Sequence, residues 1–87
     1  MNNYLFIFNS IFGTRLEAIE TVKKISIIFS WRCDMPNAIY LKSDRSAQEI
    51  CDAIRKQRKT GRFLVCEISA NRQGYLTKET WAFMSNK

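Results

Sequence analysis

The apolar runs of this chain follow one order: strand, helix, strand, strand, helix, strand, and then a short closing helix. Tyr4-Leu-Phe-Ile-Phe8 is continuous and of strand length, as expected of a strand covered on both faces in mid-sheet. It ends at Asn9-Ser10, and Gly13 permits a turn. Thr14-Arg-Leu-Glu17 then fits a capping box, in which the Thr hydroxyl accepts from a free helix amide and the Glu reaches back to another. The helix that begins there is expected to turn Leu16, Ala18, Ile19, Val22 and Ile25 toward the sheet, and Arg15, Glu17, Lys23 and Lys24 toward water.

Ile27, Phe29 and Trp31 alternate with Ser26, Ile28, Ser30 and Arg32, close to the period of a strand. Asp34-Met-Pro-Asn37 supplies turn chemistry, Ala38-Ile-Tyr-Leu41 returns as the second arm of a hairpin, and Asp44-Arg45 closes it. Ser46-Ala-Gln-Glu49 is a second capping box, opening a helix with Ala47, Ile50, Cys51 and Ile54 on one face. Gly61 is the expected C-terminal cap, and Phe63-Leu-Val-Cys66 begins the fourth strand. After the turn Asn71-Arg-Gln-Gly74, Thr77 can cap a last helix carrying Trp81, Phe83 and Met84. This pattern predicts one α+β domain over residues 1–87, a ferredoxin-like βαββαβ sandwich with a short C-terminal helix. The right-handed crossover rule gives strand order 4-1-3-2 with both long helices on one face. The other face needs the terminal helix or a second protomer.

Charge bounds the partner. Formal net charge is +6, with five basic and three acidic groups in residues 1–43 and nine and five in residues 44–87. Such a domain attracts polyanions at long range, nucleic acid being the commonest. Arg55-Lys-Gln-Arg-Lys-Thr-Gly-Arg62 packs five cations into eight residues, so Arg55, Lys56, Arg58, Lys59 and Arg62 are the candidate phosphate contacts. The same cations also complement the negative end of a helix dipole, which is the structural alternative.

The chain has no histidine, which removes the usual acid-base group and the commonest zinc ligand. Asp34, Asp44 and Glu67 are the carboxylates near strand ends or loops where a magnesium ion could be held; the alternative is that they form turns or carry surface charge. Cys33, Cys51 and Cys66 form no CxxC pair and read as free, mostly buried thiols. No catalytic residue, metal or cofactor is assigned. Trp31, Tyr40, Tyr75 and Trp81 are large aromatics without an RNP-type motif, and are expected at a homodimer interface. The apolar N-terminal run is too short for a membrane span and lacks a basic flank, so a cytoplasmic protein of a bacterial or phage-infected cell is expected.

Several segments together resemble a known group. Tyr4-Leu-Phe-Ile-Phe-Asn9, Ser46-Ala-Gln-Glu-Ile50, Arg62-Phe-Leu-Val-Cys-Glu-Ile68 and Asn71-Arg-Gln-Gly-Tyr-Leu-Thr-Lys-Glu-Thr-Trp81 are similar to the SinR-like proteins related to the smaller, ferredoxin-like CRISPR adaptation subunit. The closing segment matches that group's Asn-x-x-Gly-aromatic-Leu-x-x-x-x-Trp ending. The resemblance implies a dimer. In the CRISPR subunits, first-strand aspartates that face each other across the dimer are linked to metal-dependent nuclease activity. Here that position is Asn9, a weak magnesium ligand that cannot act as a base. The expectation is therefore a non-catalytic, homodimeric module that binds nucleic acid or a nucleoprotein. A protein-binding regulator or inhibitor, such as an antitoxin, a defence-associated factor or a phage-encoded counter-defence factor, is the alternative, and a residual metal-dependent nuclease using Asp34, Asp44 or Glu67 the third reading.

Overall fold

The computed structural model describes residues 1–85. Strand β1 (Asn2–Phe8), helix α1 (Arg15–Lys23), β2 (Ser30–Met35), β3 (Ala38–Ser43), α2 (Ala47–Gln57), β4 (Phe63–Ile68) and α3 (Lys78–Ser85) follow in that order. The four strands form one sheet, β2-β3-β1-β4, with every neighbouring pair antiparallel. This is the expected ferredoxin-like fold with a short C-terminal helix. Both capping boxes are complete. Thr14 Oγ1 accepts from the Glu17 amide at 3.2 Å while the Thr14 amide donates to Glu17 Oε1 at 2.9 Å. Ser46 and Glu49 repeat the exchange at 3.1 and 3.3 Å.

Strand alternation divides β1 between two environments. Tyr4, Phe6 and Phe8 are buried under the helices, whereas Leu5 and Ile7 lie half-buried on the opposite face. Beneath the helices, Ile39 and Leu41 of β3, Val22 of α1, and Ile50 and Ile54 of α2 complete the core. Phe12, from the loop after β1, is wholly buried and lies 5.4, 5.5 and 5.6 Å from the ring centroids of Phe6, Phe8 and Phe63.

Three local expectations are corrected. Leu16 is 68% exposed, and α1 buries Ala18, Thr21 and Val22 instead. At about 100° per residue, positions 16 and 18 stand about 200° apart and cannot share a face. Thr21 can enter the core because its hydroxyl donates to the Glu17 carbonyl at 2.9 Å. The alternation through Ile27 and Phe29 is not strand: tight turns from Val22 to Ile25 and from Ile25 to Ile28 bury Ile28 and leave Phe29 exposed, so β2 starts only at Ser30. Gly61 does not cap α2. Arg58 leaves the helix in an extended conformation, and Gly61 lies beyond it at φ +83°, pressed so close to the Phe12 backbone that a Cβ would fall 2.1 Å from the Phe12 nitrogen.

On the sheet's second face, α3 covers the β2–β3 half. Thr80 and Met84 are buried there, Arg32 Nε donates to Thr80 Oγ1 at 2.8 Å, and Asn3 Nδ2 donates to the Met84 carbonyl at 2.6 Å. Lys42, also covered, places its ammonium 4.7 Å from the Phe83 ring and donates to Asn3 Oδ1. On the β1–β4 half of this face Leu64 and Cys66 are exposed, and Leu5, Ile7 and Ile68 are half-buried.

Because Phe12 joins β1, β4 and the helix layer, Phe12→Ala is expected to cost about 3–5 kcal/mol. Urea unfolding followed by circular dichroism measures this, and a loss below about 1 kcal/mol would contradict the packing role given to the ring.

Candidate nucleic-acid interface

The end of α2, the loop after it and the start of β4 form a basic corner whose five cations divide by role. Arg55 Nη1 donates to the Arg58 carbonyl at 3.2 Å and Nη2 to the Gly61 carbonyl at 2.9 Å, with the guanidinium 4.8 Å from the Phe63 ring. Arg58 Nε donates to the Phe12 carbonyl at 2.7 Å, and its Nη2 lies 3.8 Å from Glu17 Oε2. Its guanidinium stands 5.4 Å from the Phe12 ring. Both arginines therefore fasten the chain while keeping their charge. The capping-box amide of Thr14 and, after it, the Arg58 guanidinium hold the Glu17 carboxyl below its usual range.

Lys56, Lys59 and Arg62 are exposed and have no ion-pair partner among the described residues. They do not share one spot. Lys56 lines a small cleft of about 210 Å³ together with Lys24, at the end of α1. Arg62 lines a wider, shallow cleft of about 420 Å³ at the end of the sheet, with Ile7, Asn9, Asn37 and Leu64. Cations thus flank the end of α2 on two sides. Charge counting along the chain misses Lys24, because the fold alone brings it beside Lys56.

Asn9 has a structural task. Its Oδ1 accepts from the Phe12 amide at 3.1 Å and from the Arg62 amide at 3.0 Å, and its backbone amide donates to the Arg62 carbonyl. The side-chain oxygen that a metal would need is already shared by two backbone donors.

The candidate carboxylates are dispersed. Asp34 Oδ2 accepts from the Thr80 hydroxyl at 2.7 Å, from the Thr77 amide at 3.2 Å and from the Thr77 hydroxyl at 3.4 Å, which anchors the start of α3 to β2. Asp44 pairs with neighbouring Arg45 at 3.6 Å, and Glu67 is exposed on β4. Among the described residues, no group of three or more His, Cys, Asp or Glu side chains could hold a metal ion.

Of the four aromatics, Trp31 packs against the core on the helix-covered face, and Tyr40 is buried on the opposite face. Trp81 is half-buried on α3, and Tyr75 is fully exposed in the loop before it. The cysteines are free, but Cys66 is exposed where burial was expected. Cys33 is half-buried, and that burial raises its thiol pKa against the opposing pull of Arg15 and Arg32. No described helix is long and apolar enough to cross a membrane.

No protein-family model, curated protein or solved structure matches this chain. Its surface chemistry is therefore the basis for a functional reading.

The Asp34 anchor has a pH signature. The Thr80 hydroxyl, then the Thr77 amide, hold this carboxyl below the usual aspartate range. A depressed folded value contributes stability above the unfolded pKa, and that stability is lost as pH falls through the folded one. Asp34→Asn is expected to lower the Tm at neutral pH, with the gap to the native chain closing as the pH is taken below the ordinary carboxylate range. A gap of constant size across a pH series of thermal melts would remove the charge from this account.

Proposed function

We propose that this chain is a small, non-catalytic, homodimeric module that binds nucleic acid, or a nucleoprotein, through phosphate contacts at the α2–β4 corner. The observation that carries this reading is the set of exposed cations, Lys56, Lys59 and Arg62, without carboxylate partners among the described residues and standing on a scaffold that Arg55 and Arg58 hold in place. Unneutralised cations on such a corner can release counterions from a polyanion. Nothing in the corner is built to read base edges, so recognition is of backbone charge. A cytoplasmic location belongs to this proposal, and a role as an antitoxin, a defence-associated factor or a phage-encoded counter-defence factor belongs to the second reading. A protein partner is the second reading, favoured by the apolar β1–β4 half of the sheet and by Tyr75, which are too apolar for a phosphate backbone.

The test is fluorescence anisotropy with single-stranded and duplex DNA and RNA oligonucleotides over a salt series. Three phosphate contacts should give a slope of about −2 to −3 in log affinity against log salt. The combined Lys56→Gln, Lys59→Gln and Arg62→Gln variant should flatten that slope and keep its Tm, whereas Arg55→Gln or Arg58→Gln should lower the Tm. Oligonucleotides should remain intact with magnesium or manganese. Unchanged binding by the triple variant would overturn the assigned contacts, and absence of binding at low salt would put the protein-partner reading first.

A further inference from the structure

The two edges of the sheet are treated differently. At the β2 edge, the register shifts between Cys33 and Met35 and Pro36 follows the strand. These features discourage another strand from pairing there. The β4 edge has none of them. Phe63-Leu-Val-Cys-Glu-Ile68 contains no proline and no lysine, pairs in regular register with β1 and, among the described residues, has no strand on its other side.

Its backbone direction follows from hydrogen bonds at the end of β1. The Phe8 amide donates to Asn37, next to β3, and the Asn9 amide donates to Arg62, next to β4. Alternation along an antiparallel strand then assigns the odd residues of β1 to β4. Their partners Leu64, Cys66 and Ile68 turn their amides inward, while Phe63, Val65 and Glu67 turn theirs to the open edge.

We propose that β4 is the dimer interface, pairing antiparallel with β4 of a second copy about a two-fold axis at Val65, so that the two sheets become one. The proposal rests on the homodimeric part of the functional reading and names its surface. Complementarity identifies the occupant. Centring on Val65 sets Phe63 opposite Glu67 of the second copy, on the helix-covered face. Phe63 is the residue over which the Arg55 guanidinium lies, at 4.8 Å, so each carboxylate of Glu67 meets a cation across the dyad. Glu67 is exposed, with no ion-pair partner among the described residues of its own chain. On the other face the same register sets Leu64, 58% exposed, opposite the exposed Cys66 of the second copy, and extends the apolar strip of Leu5 and Ile7 across the joint. A two-fold contact must be self-complementary in this way.

Light scattering of the native chain at micromolar concentration should give twice the 10.2 kDa monomer mass. Val65→Pro removes an outward amide and leaves the β1 ladder intact, so it should give a monomer with native circular dichroism. Register is tested separately by Leu64→Cys. Directly opposed residues of a non-hydrogen-bonded pair have Cα atoms about 4.5 Å apart, within the range of about 4.4–6.8 Å that a disulfide spans. Mild oxidation should therefore join the introduced thiol to the native Cys66 of the second copy and give a dimer band on a non-reducing gel. That band should be lost when Cys66→Ser is added. A native monomer would end both the homodimeric reading and this interface. A dimer that survives in a folded Val65→Pro chain, or a Leu64→Cys chain that does not cross-link, would end the β4 interface while leaving dimerisation standing. Should Val65→Pro fail to fold, the cross-link alone decides.

Discussion

Burial of Phe12 is the constraint around which the rest of this domain is arranged. The ring belongs to a loop, yet it fills the end of the core between Phe6, Phe8 and Phe63, and its backbone is held from three sides. Asn9 receives its amide, Arg58 donates to its carbonyl, and Gly61 presses against its nitrogen where no side chain would fit. A buried loop carries backbone polar groups that must be satisfied, and each of these contacts satisfies one or makes room for it. Arg55 and Arg58 keep their charge but are held by backbone carbonyls and, for Arg58, by Glu17, which leaves Lys56, Lys59 and Arg62 as the cations of the segment without a partner among the described residues.

That difference explains what the sequence could and could not reveal. Thr14 with Glu17 and Ser46 with Glu49 were legible because a capping box lies within four residues, as does the hairpin chemistry of Pro36-Asn37. Strand order followed from chirality and the order of elements. The fate of Arg58 was not legible, since its carbonyl partner Phe12 lies 46 positions away. Leu16 and Phe29 failed for a related reason: an apolar residue near the end of an element is placed by the element's rotation and by where its neighbouring turn closes, and both are settled by tertiary packing. The role of α3 was half visible. Thr77 announced its start, but Asp34 as its anchor on β2 could be known only once the two were brought together.

The aromatic residues show the same limit from the other direction. Trp31, Tyr40, Tyr75 and Trp81 look alike to a composition argument, yet strand parity and α3 divide them. Tyr40 is buried within its own chain, and Trp31 packs on the helix-covered face. On the β1–β4 half of the second face the apolar side chains are aliphatic, with Leu64 exposed and Leu5, Ile7 and Ile68 half-buried beside the exposed Cys66, and they adjoin the strand edge that has no neighbour among the described residues. In the sequence these residues formed the strand-like runs expected to lie in a covered sheet, and nothing local marked Leu64 and Cys66 as exposed.

Arg55 links the two surfaces of interest. It is anchored to the carbonyls of Arg58 and Gly61, which sets the path of the chain into β4, and it lies over Phe63 at the free edge. A two-fold axis perpendicular to the sheet keeps both helix layers on one side. Edge pairing would therefore bring the two α2 ends onto the same surface of the joined sheet, each with Lys56, Lys59 and Arg62 beside it. Binding along such a surface would couple the second set of contacts to the first at high effective concentration, without requiring either corner alone to be strong. Under the proposed pairing, the moderate charge of a single corner and the open edge of β4 would serve one arrangement, in which weak phosphate contacts are presented twice.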